Sequence, residues 1–448
     1  MKLAAVVLAA GQGTRMRSDL PKVLHCIAGK PMLQYSLDLV AEMTDQPPVV
    51  VIGHKADEVK KEIGDQARYV VQQEQLGTAH AVQTAETLIG TQAELVLVLN
   101  ADLPLILHDT IERMIECQQN NAGPLSILTV TTDNPRGFGR IIRAEDGSVL
   151  RIVEEAVASP EELQVKELNV GVYCIRTDWL WQALKQIKPS PKGEYYLTDL
   201  VEIANRQGEK VQAVLAAEQE EAVGINNRVH LAEVEAIMHR RINRMWMESG
   251  VTMIDPTSCY IEAGVEIGRD TVIWPNTYLR GLTKVGHHCE IGPNSMLQDT
   301  RVGNHCTILQ SMMEHAVLED HVEIGPFGHL RKGAYLADHV HMGNFGEVKN
   351  SYLGKGSKMG HFSYMGDAEV GENVNIGAGT ITCNYDGTHK NKTVIGANVF
   401  IGSDTMLVAP VNIGENATTG AGAVVNKDVP PNTIVVGVPA KELRKKDA

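Results

Sequence analysis

The chain has 448 residues, room for about two or three domains, and its 43% hydrophobic and 21% charged content is ordinary for a globular protein. A formal net charge of −14 excludes broad binding to nucleic acid or to an anionic membrane, while leaving room for a local basic pocket that holds phosphate. Seven scattered cysteines, odd in number and without a C-x-x-C, exclude a disulfide framework and a zinc site and point to reduced thiols in the cytoplasm.

Residues 1–227 alternate apolar runs with amphipathic segments. The opening MKLAAVVLAAG imitates a signal peptide. Its apolar run, Leu3–Ala10, is short, however, and Gly-Gln-Gly-Thr-Arg follows in place of a cleavage site, so it predicts a buried first strand. Further strands are predicted at 48–53, 95–100 and 125–131, with helices at 33–43, 77–88 and 111–118 between them. Continuous Val/Ile/Leu runs suit strands covered on both faces, so the fold class is α/β with an open, mostly parallel, Rossmann-like sheet. No stretch approaches the ~20 apolar residues that a membrane-spanning helix needs.

Directly after the first strand comes LAAGQGTRM (Leu8–Met16). Small residues there let backbone N–H groups approach a phosphate, and Arg15 and Lys22 add positive charge. The string is neither a dinucleotide fingerprint, since Met16 stands where the third glycine belongs, nor a P-loop. Asp102 ends the apolar strand LVLVLNAD, at the edge where open α/β sheets bind ligands. From the residues alone it reads either as a metal carboxylate or as a cap for the helix that follows.

Residues 228–249 place Leu231, Val234, Met238, Ile242 and Met245 three or four apart, which predicts a linker helix stopped by Gly250. From 250 to 448 the period changes. Ile261, Ile267, Ile273, Leu279, Val285, Ile291 and Leu297 fall six apart, and the register returns over 318–348 and 395–425. That is the period of a hexapeptide β-helix, followed by a C-terminal tail. Cys259, Val265, Thr271, Thr277, Thr283, Cys289 and Ser295 precede the aliphatics by two and are small enough for tight corners. Gly268, Gly286, Gly292, Asn294, Gly303 and Asn304 follow an aliphatic or occupy a turn, where these residue types tolerate a positive φ. Stacked single aliphatics account for the scarcity of aromatics, 4% of the chain.

Ten of the 16 histidines lie beyond residue 280 and are expected to be scattered surface residues. His361, in KMGHFSYMGD, is close in sequence to Arg331, Lys349, Tyr364 and Asn375, positions about one coil apart, so these groups can converge near the imidazole. By itself it reads as either structural or catalytic. The hexad breaks at CNYDGTHKNKTV, and a loop projecting from a regular array is a good place for ligand contacts.

The string LAAGQGTRMRSDLPKVL resembles the signature of sugar-1-phosphate nucleotidylyltransferases. With the hexapeptide array behind it, the chain from Met1 to about Pro439 resembles the bacterial family of bifunctional N-acetylglucosamine-1-phosphate uridylyltransferases/glucosamine-1-phosphate N-acetyltransferases. The resemblance implies a left-handed β-helix and two-step synthesis of UDP-N-acetylglucosamine for peptidoglycan and lipopolysaccharide. Acetyl-CoA acetylates glucosamine 1-phosphate in the C-terminal half. UTP and Mg²⁺ then act on the product in the N-terminal half.

Motif by motif, it implies that Leu8, Ala9, Ala10, Gly11 and Lys22 hold the nucleotide and its phosphates, and that Gln72, Gly77 and Thr78 read the base. Asp102 and Asn226 would ligate Mg²⁺. Gly139, Glu154 and Asn169 would line the sugar side, with Tyr196 and Thr198 as further candidates. Asn100 and Ala101, also nucleotide-site positions, replace a familiar Tyr-Gly pair, and Val170 follows Asn169 in place of threonine.

In the second half His361 would be the general base. Arg331, Lys349, Tyr364 and Asn375 would hold glucosamine 1-phosphate, and Ala378, Asn384, Tyr385, Ser403 and Ala421 the acetyl donor. Gly437 stands where the family often has an arginine facing coenzyme A, a charge that Lys441 or Arg444 is expected to supply. The family also implies a homotrimer. Two other functions fit parts of the pattern: uridylyl transfer alone with an oligomerising β-helix, and a non-catalytic scaffold.

Overall fold

A computed structural model describes residues 2–191 and 193–445, so the last three residues of the expected C-terminal tail lie outside the described residues. The chain divides into two compact units, Met1–Met238 and His239–Ala448.

The first unit is an α/β fold whose strand and helix order follows the alternation of apolar runs. It opens with β1 (Leu3–Ala9), a short ribbon of β2 (Cys26–Ile27) and β3 (Lys30–Pro31), α1 (Met32–Ala41), β4 (Val49–Ile52) and α2 (Ala56–Ile63). Then come β5 (Arg68–Val71), α3 (Thr78–Thr84), α4 (Glu86–Ile89), β6 (Leu95–Asn100), α5 (His108–Asn120) and β7 (Leu125–Thr131). The remainder is β8 (Arg140–Arg143), β9 (Val149–Val153), β10 (Glu167–Arg176), α6 (Thr177–Leu184), α7 (Asp199–Arg206) and β11 (Val211–Leu215).

The main sheet runs β11-β7-β10-β6-β1-β4-β5, with β8 and β9 attached beside β10. The β1–β4, β1–β6, β4–β5 and β7–β11 pairs are parallel, whereas β10 is antiparallel to both of its neighbours. Alternate strand residues feed two cores. Val7, Val50, Leu97 and Leu99 pack with Leu37, Val59, Ile111 and Met114 of α1, α2 and α5. Val6, Val51, Val96 and Val98 pack with Val82, Leu180, Leu184 and Leu200 of α3, α6 and α7. Cover on both faces is why these strands carry unbroken aliphatic runs. The helix α8 (Arg228–Glu248) follows, and its residues from His239 onward belong to the second unit.

The second unit is a left-handed parallel β-helix with three faces of 12, 10 and nine strands among the described residues. Ile261, Leu279 and Leu297 stack in register on one face, 18 residues apart. The aliphatic column does not stop where the six-residue spacing does. Val302, Ile308 and Met313 continue it fully or nearly buried, because the turns at Asp299, Gln310 and His315 are made with one residue fewer. Cys259, Val265, Thr271, Thr277, Thr283, Cys289 and Ser295 are all buried at the corners, as expected.

The turn glycines divide into two kinds. Gly292 and Asn294 take positive φ, 103° and 52°. Gly268, Gly286, Gly303 and Asn304 are not among the positive-φ residues. Gly268 and Gly286 are small for another reason: a Cβ there would lie 2.6 Å and 2.4 Å from the backbone of the next coil. Many positive-φ corners instead carry larger side chains, which stack coil on coil. His288, His305, His321 and His339 form one column at ring separations of 5.0, 4.9 and 4.6 Å, and Phe327, Phe345 and Phe362 another at 5.0 and 5.1 Å. The histidines beyond residue 280 are therefore partly ordered into a ladder rather than scattered.

Candidate functional sites

In the first unit the parallel pairing of β1 with β6 sets Leu8 opposite Asn100, and Ala101 N donates to Leu8 O at 3.1 Å. The glycine loop and Asp102 therefore leave the sheet side by side at the carboxyl edge. Between them lies a cavity of about 330 Å³. Leu8, Ala9, Ala10, Gly11, Lys22, Gln72, Gly77, Thr78, Asn100, Asp102 and Tyr196 all line it. A Cβ on Gly11 would meet nothing within 4 Å, so this residue leaves ligand space open. Gly13 has φ 64° and packs its Cα against Lys22, where a Cβ would come within 2.7 Å.

Asp102 does not cap α5, whose N-cap is Leu107. Its Oδ2 instead accepts from Lys22 Nζ at 2.6 Å, and its backbone carbonyl accepts from Ile225 N at 3.0 Å. That backbone bond brings the loop of Asn226 to the same edge, and Asn226 Oδ1 accepts from Arg15 Nη2 at 2.8 Å. Gln72 is buried and donates to Gly77 O at 3.1 Å.

Of the residues the resemblance implies, Ala101, which is buried, and Gly139, Glu154, Asn169, Thr198 and Asn226 do not line this cavity. Gly139, Glu154, Asn169 and Thr198 form a neighbouring group. Asn169 N donates to Gly139 O at 2.9 Å, and a Cβ on Gly139 would lie 3.8 Å from Glu154 Oε2. Thr198 Oγ1 donates to Glu154 Oε1 at 3.1 Å, and both line a second cavity of about 400 Å³ that shares Tyr196 with the first. Burial pushes the Glu154 carboxyl above its usual range, and the Thr198 hydrogen bond opposes this. Asn169 sits at a register shift in β10, where Gly171 turns with φ 85° and its carbonyl accepts from Asn100 Nδ2 at 3.1 Å. Bulges of this kind redirect side chains beside binding sites. Sequence reasoning missed Gln75, whose Nε2 donates to Ala10 O at 2.8 Å, and Glu194, both of which line the first cavity.

In the second unit His361 ends a strand at an exposed corner, and its Nδ1 lies 2.6 Å from Asn344 Oδ1 on the coil before. The strand registers place Ala378 over His361, Ser403 over Ala378 and Ala421 over Ser403. Backbone bonds run alongside: Gly379 N to His361 O at 3.3 Å, Asp404 N to Ala378 O at 2.6 Å and Gly422 N to Ser403 O at 2.8 Å. Three expected acetyl-donor residues thus form a file of small side chains leading away from the imidazole.

Around the corner, Arg331 N donates to Val348 O at 2.9 Å, so Arg331 and Lys349 stand on successive coils, and Tyr364 follows opposite Glu347. Arg331 Nη1 donates to Glu347 Oε1 at 2.9 Å. Lys390, which sequence reasoning missed, comes close to Lys349, and its charge, with that of Arg331, holds the Lys349 amine below the ordinary lysine range. Like charges gathered in this way suit a bound phosphate.

Lys390 pairs with Tyr385 across the loop that interrupts the hexads. Asn384 anchors that loop: it is buried, and its Nδ2 donates to Asp367 Oδ2 at 2.6 Å. Asn375 pairs with Lys358, at the far end of the strand from His361. Lys441 and Arg444 lie on an exposed terminal strand that folds back on Thr433–Val436.

A cleft with a lysine–carboxylate pair at the edge of a mostly parallel sheet and an imidazole on a hexapeptide solenoid fit a nucleotidyltransferase joined to an acyltransferase. Comparison with known proteins agrees. The Nucleotidyl transferase family model matches residues 4–251, and the Bacterial transferase hexapeptide (six repeats) model matches residues 392–427. "Bifunctional protein GlmU" of Caldanaerobacter subterraneus subsp. tengcongensis is 48% identical over 97% of this chain and 95% of that protein. The protein of the same name from Exiguobacterium sibiricum is 46% identical over 96% of each. A solved UDP-glucose pyrophosphorylase complexed with UDP-glucose aligns with 54% of this chain and all of its own, at 20% identity and TM-score 0.43. The chain belongs to the GlmU family of bifunctional transferases and performs the uridylyl-transfer and acetylation steps of UDP-N-acetylglucosamine synthesis.

Proposed function

We propose that the first cavity binds UTP and N-acetylglucosamine 1-phosphate, and that the His361 corner binds glucosamine 1-phosphate and acetyl-CoA. The reading is carried by the contrast between the two sites. One pairs a lysine with a carboxylate at the end of parallel strands, and the other carries an imidazole hydrogen-bonded to Asn344 on a solenoid that also gathers three cations.

In the uridylyl step a sugar-phosphate oxygen attacks the α-phosphorus of UTP and pyrophosphate leaves. Both reactants are polyanions, so the site must offset their repulsion and hold them in line. Lys22 and Arg15 supply charge, and the glycine loop supplies space and N–H donors. Gln72, Gly77 and Thr78 face the base; Glu154, Asn169 and Gly139 face the sugar. Asp102 and Asn226 offer oxygen ligands at one edge, a donor set that fits Mg²⁺. Bound there, Mg²⁺ would neutralise phosphate charge.

In the acetyl step the sugar amine attacks the thioester carbonyl, the C–S bond breaks and the thiol of coenzyme A leaves. His361 takes the proton that the amine sheds, a role typically worth ~10²–10⁴ in rate. Arg331, Lys349 and Lys390 hold the sugar phosphate, Tyr364 and Asn375 the sugar. The file Ala378, Ser403 and Ala421, with Tyr385, Asn384 and a basic residue from the terminal strand, receives the acetyl donor.

The exposed Phe327–Phe345–Phe362 column adjoins His361, and an apolar surface of this kind supports assembly of copies into a homotrimer. No helix among the described residues is long and apolar enough to cross a membrane. Seven cysteines, none in a disulfide among the described residues, support a cytoplasmic enzyme.

Two variants of the full chain test the reading. His361→Ala is expected to lower acetyl-CoA-dependent thiol release by at least ~10²-fold and leave pyrophosphate release intact. Asp102→Ala is expected to do the reverse. A variant that impaired both activities, or neither, would sink the assignment.

A further inference from the structure

A neutral imidazole accepts a proton at one nitrogen only while the other nitrogen carries one, and its hydrogen-bond partner decides which. His361 is exposed, and a surface side chain of this kind exchanges rotamers within nanoseconds unless something holds it. Here Nδ1 lies 2.6 Å from Asn344 Oδ1. A carbonyl oxygen can only accept, so with the amide in this orientation Nδ1 carries the hydrogen and Nε2 keeps the lone pair. The pair is set by the backbone: Asn344 and His361 are opposite each other on adjacent parallel strands, and Phe362 N donates to Asn344 O at 3.1 Å.

We infer that Asn344 is a positioning residue for acetyl transfer, its side-chain oxygen fixing His361 as the Nδ1–H tautomer and presenting Nε2 as the proton acceptor. The inference rests on His361 being the general base. Were the amide reversed, its NH₂ would donate to Nδ1, the proton would move to Nε2, and the ring could not act as base on that side. An amide also orients the ring without adding a negative charge beside the imidazolium that forms.

The test uses the full chain. Asn344→Leu keeps the size and removes the acceptor; its acetylation kcat is expected to fall by ~10²-fold, with KM for both substrates within about twofold. Asn344→Asp restores an acceptor and is expected to recover most of the loss. In ¹⁵N-histidine NMR the unsubstituted protein is expected to show His361 protonated at Nδ1, and Asn344→Leu a mixture of tautomers. A kcat within about threefold of the unsubstituted protein for Asn344→Leu would overturn the proposal, as would raised KM with no rescue by Asp, or an Nε2–H signal in the unsubstituted protein. If His361→Ala still acetylates, the general-base reading fails first. If His361→Ala is inactive while Asn344→Leu is not, the inference about Asn344 alone fails.

Discussion

Asp199 opens α7 beside the second cavity, with Glu154 and Glu202 near it. Burial, then the negative charges of Glu202 and Glu154, push its carboxyl up to about 6, and Arg206 opposes them. A carboxyl raised in the folded state favours folding least where it must ionise. Well below pH 4 both states hold the proton and no penalty exists; the penalty grows as pH rises through the unfolded-state value and is complete above about 6. Asp199→Asn is therefore expected to stabilise the first unit at pH 8 and to change it much less at pH 4. The site is half exposed, so solvent screening reduces the gain to about 1 kcal/mol. Urea midpoints at the two pH values read the difference directly, and an equal gain at both would show that charge is not the cause. From its neighbours in sequence, Asp199 is unremarkable: a carboxylate in the first turn of a helix is ordinarily favourable. Its penalty comes first from burial, with Glu202 three residues on and Glu154 45 residues back adding to it, and no local pattern reports that burial.

Secondary-structure elements were readable to the extent that burial imposes a period. The solenoid announces itself because each coil buries one aliphatic per face, and Val302, Ile308 and Met313 escaped only because shortened turns shift the count by one. The parallel strands β1, β4, β6 and β7 stood out as unbroken apolar runs for the same reason. Strand β10 was not found, since its antiparallel insertion between β6 and β7 depends on partners and not on its own residues. Asn344 was missed although it lies one coil from His361, because an asparagine in a solenoid turn is common.

The corner glycines show which link a mutation acts on. Gly286 has an ordinary φ, but a Cβ would lie 2.4 Å from Gly303 O on the next coil. Gly422 has φ 69° and open space around it. Gly286→Val is expected to separate two coils and cost about 1–3 kcal/mol, as overpacking does. Gly422→Ala should cost about 1 kcal/mol from backbone strain alone. Thermal melting followed through loss of acetylation ranks the two. If Gly422→Ala were the more harmful, conformational freedom and not coil spacing would govern these corners.

Within the whole molecule, each proposed constellation is assembled from residues of a single unit: Lys22, Asp102 and Asn226 before Met238, and His361, Arg331 and Lys349 after His239. The compound they share, N-acetylglucosamine 1-phosphate, is small and charged, and charge keeps it soluble in water once released. The two steps should therefore be separable between molecules. With glucosamine 1-phosphate, acetyl-CoA, UTP and Mg²⁺, the Asp102→Ala protein alone should stop at the acetylated phosphate, and the His361→Ala protein alone should leave the amine unchanged. Mixed, they should form UDP-N-acetylglucosamine after a lag set by the time the intermediate takes to reach the KM of the uridylyl site. Adding N-acetylglucosamine 1-phosphate at the start should abolish that lag. A mixture that made no final product while each variant kept its own half-reaction would mean that the intermediate is not released, and that the two steps must share one chain.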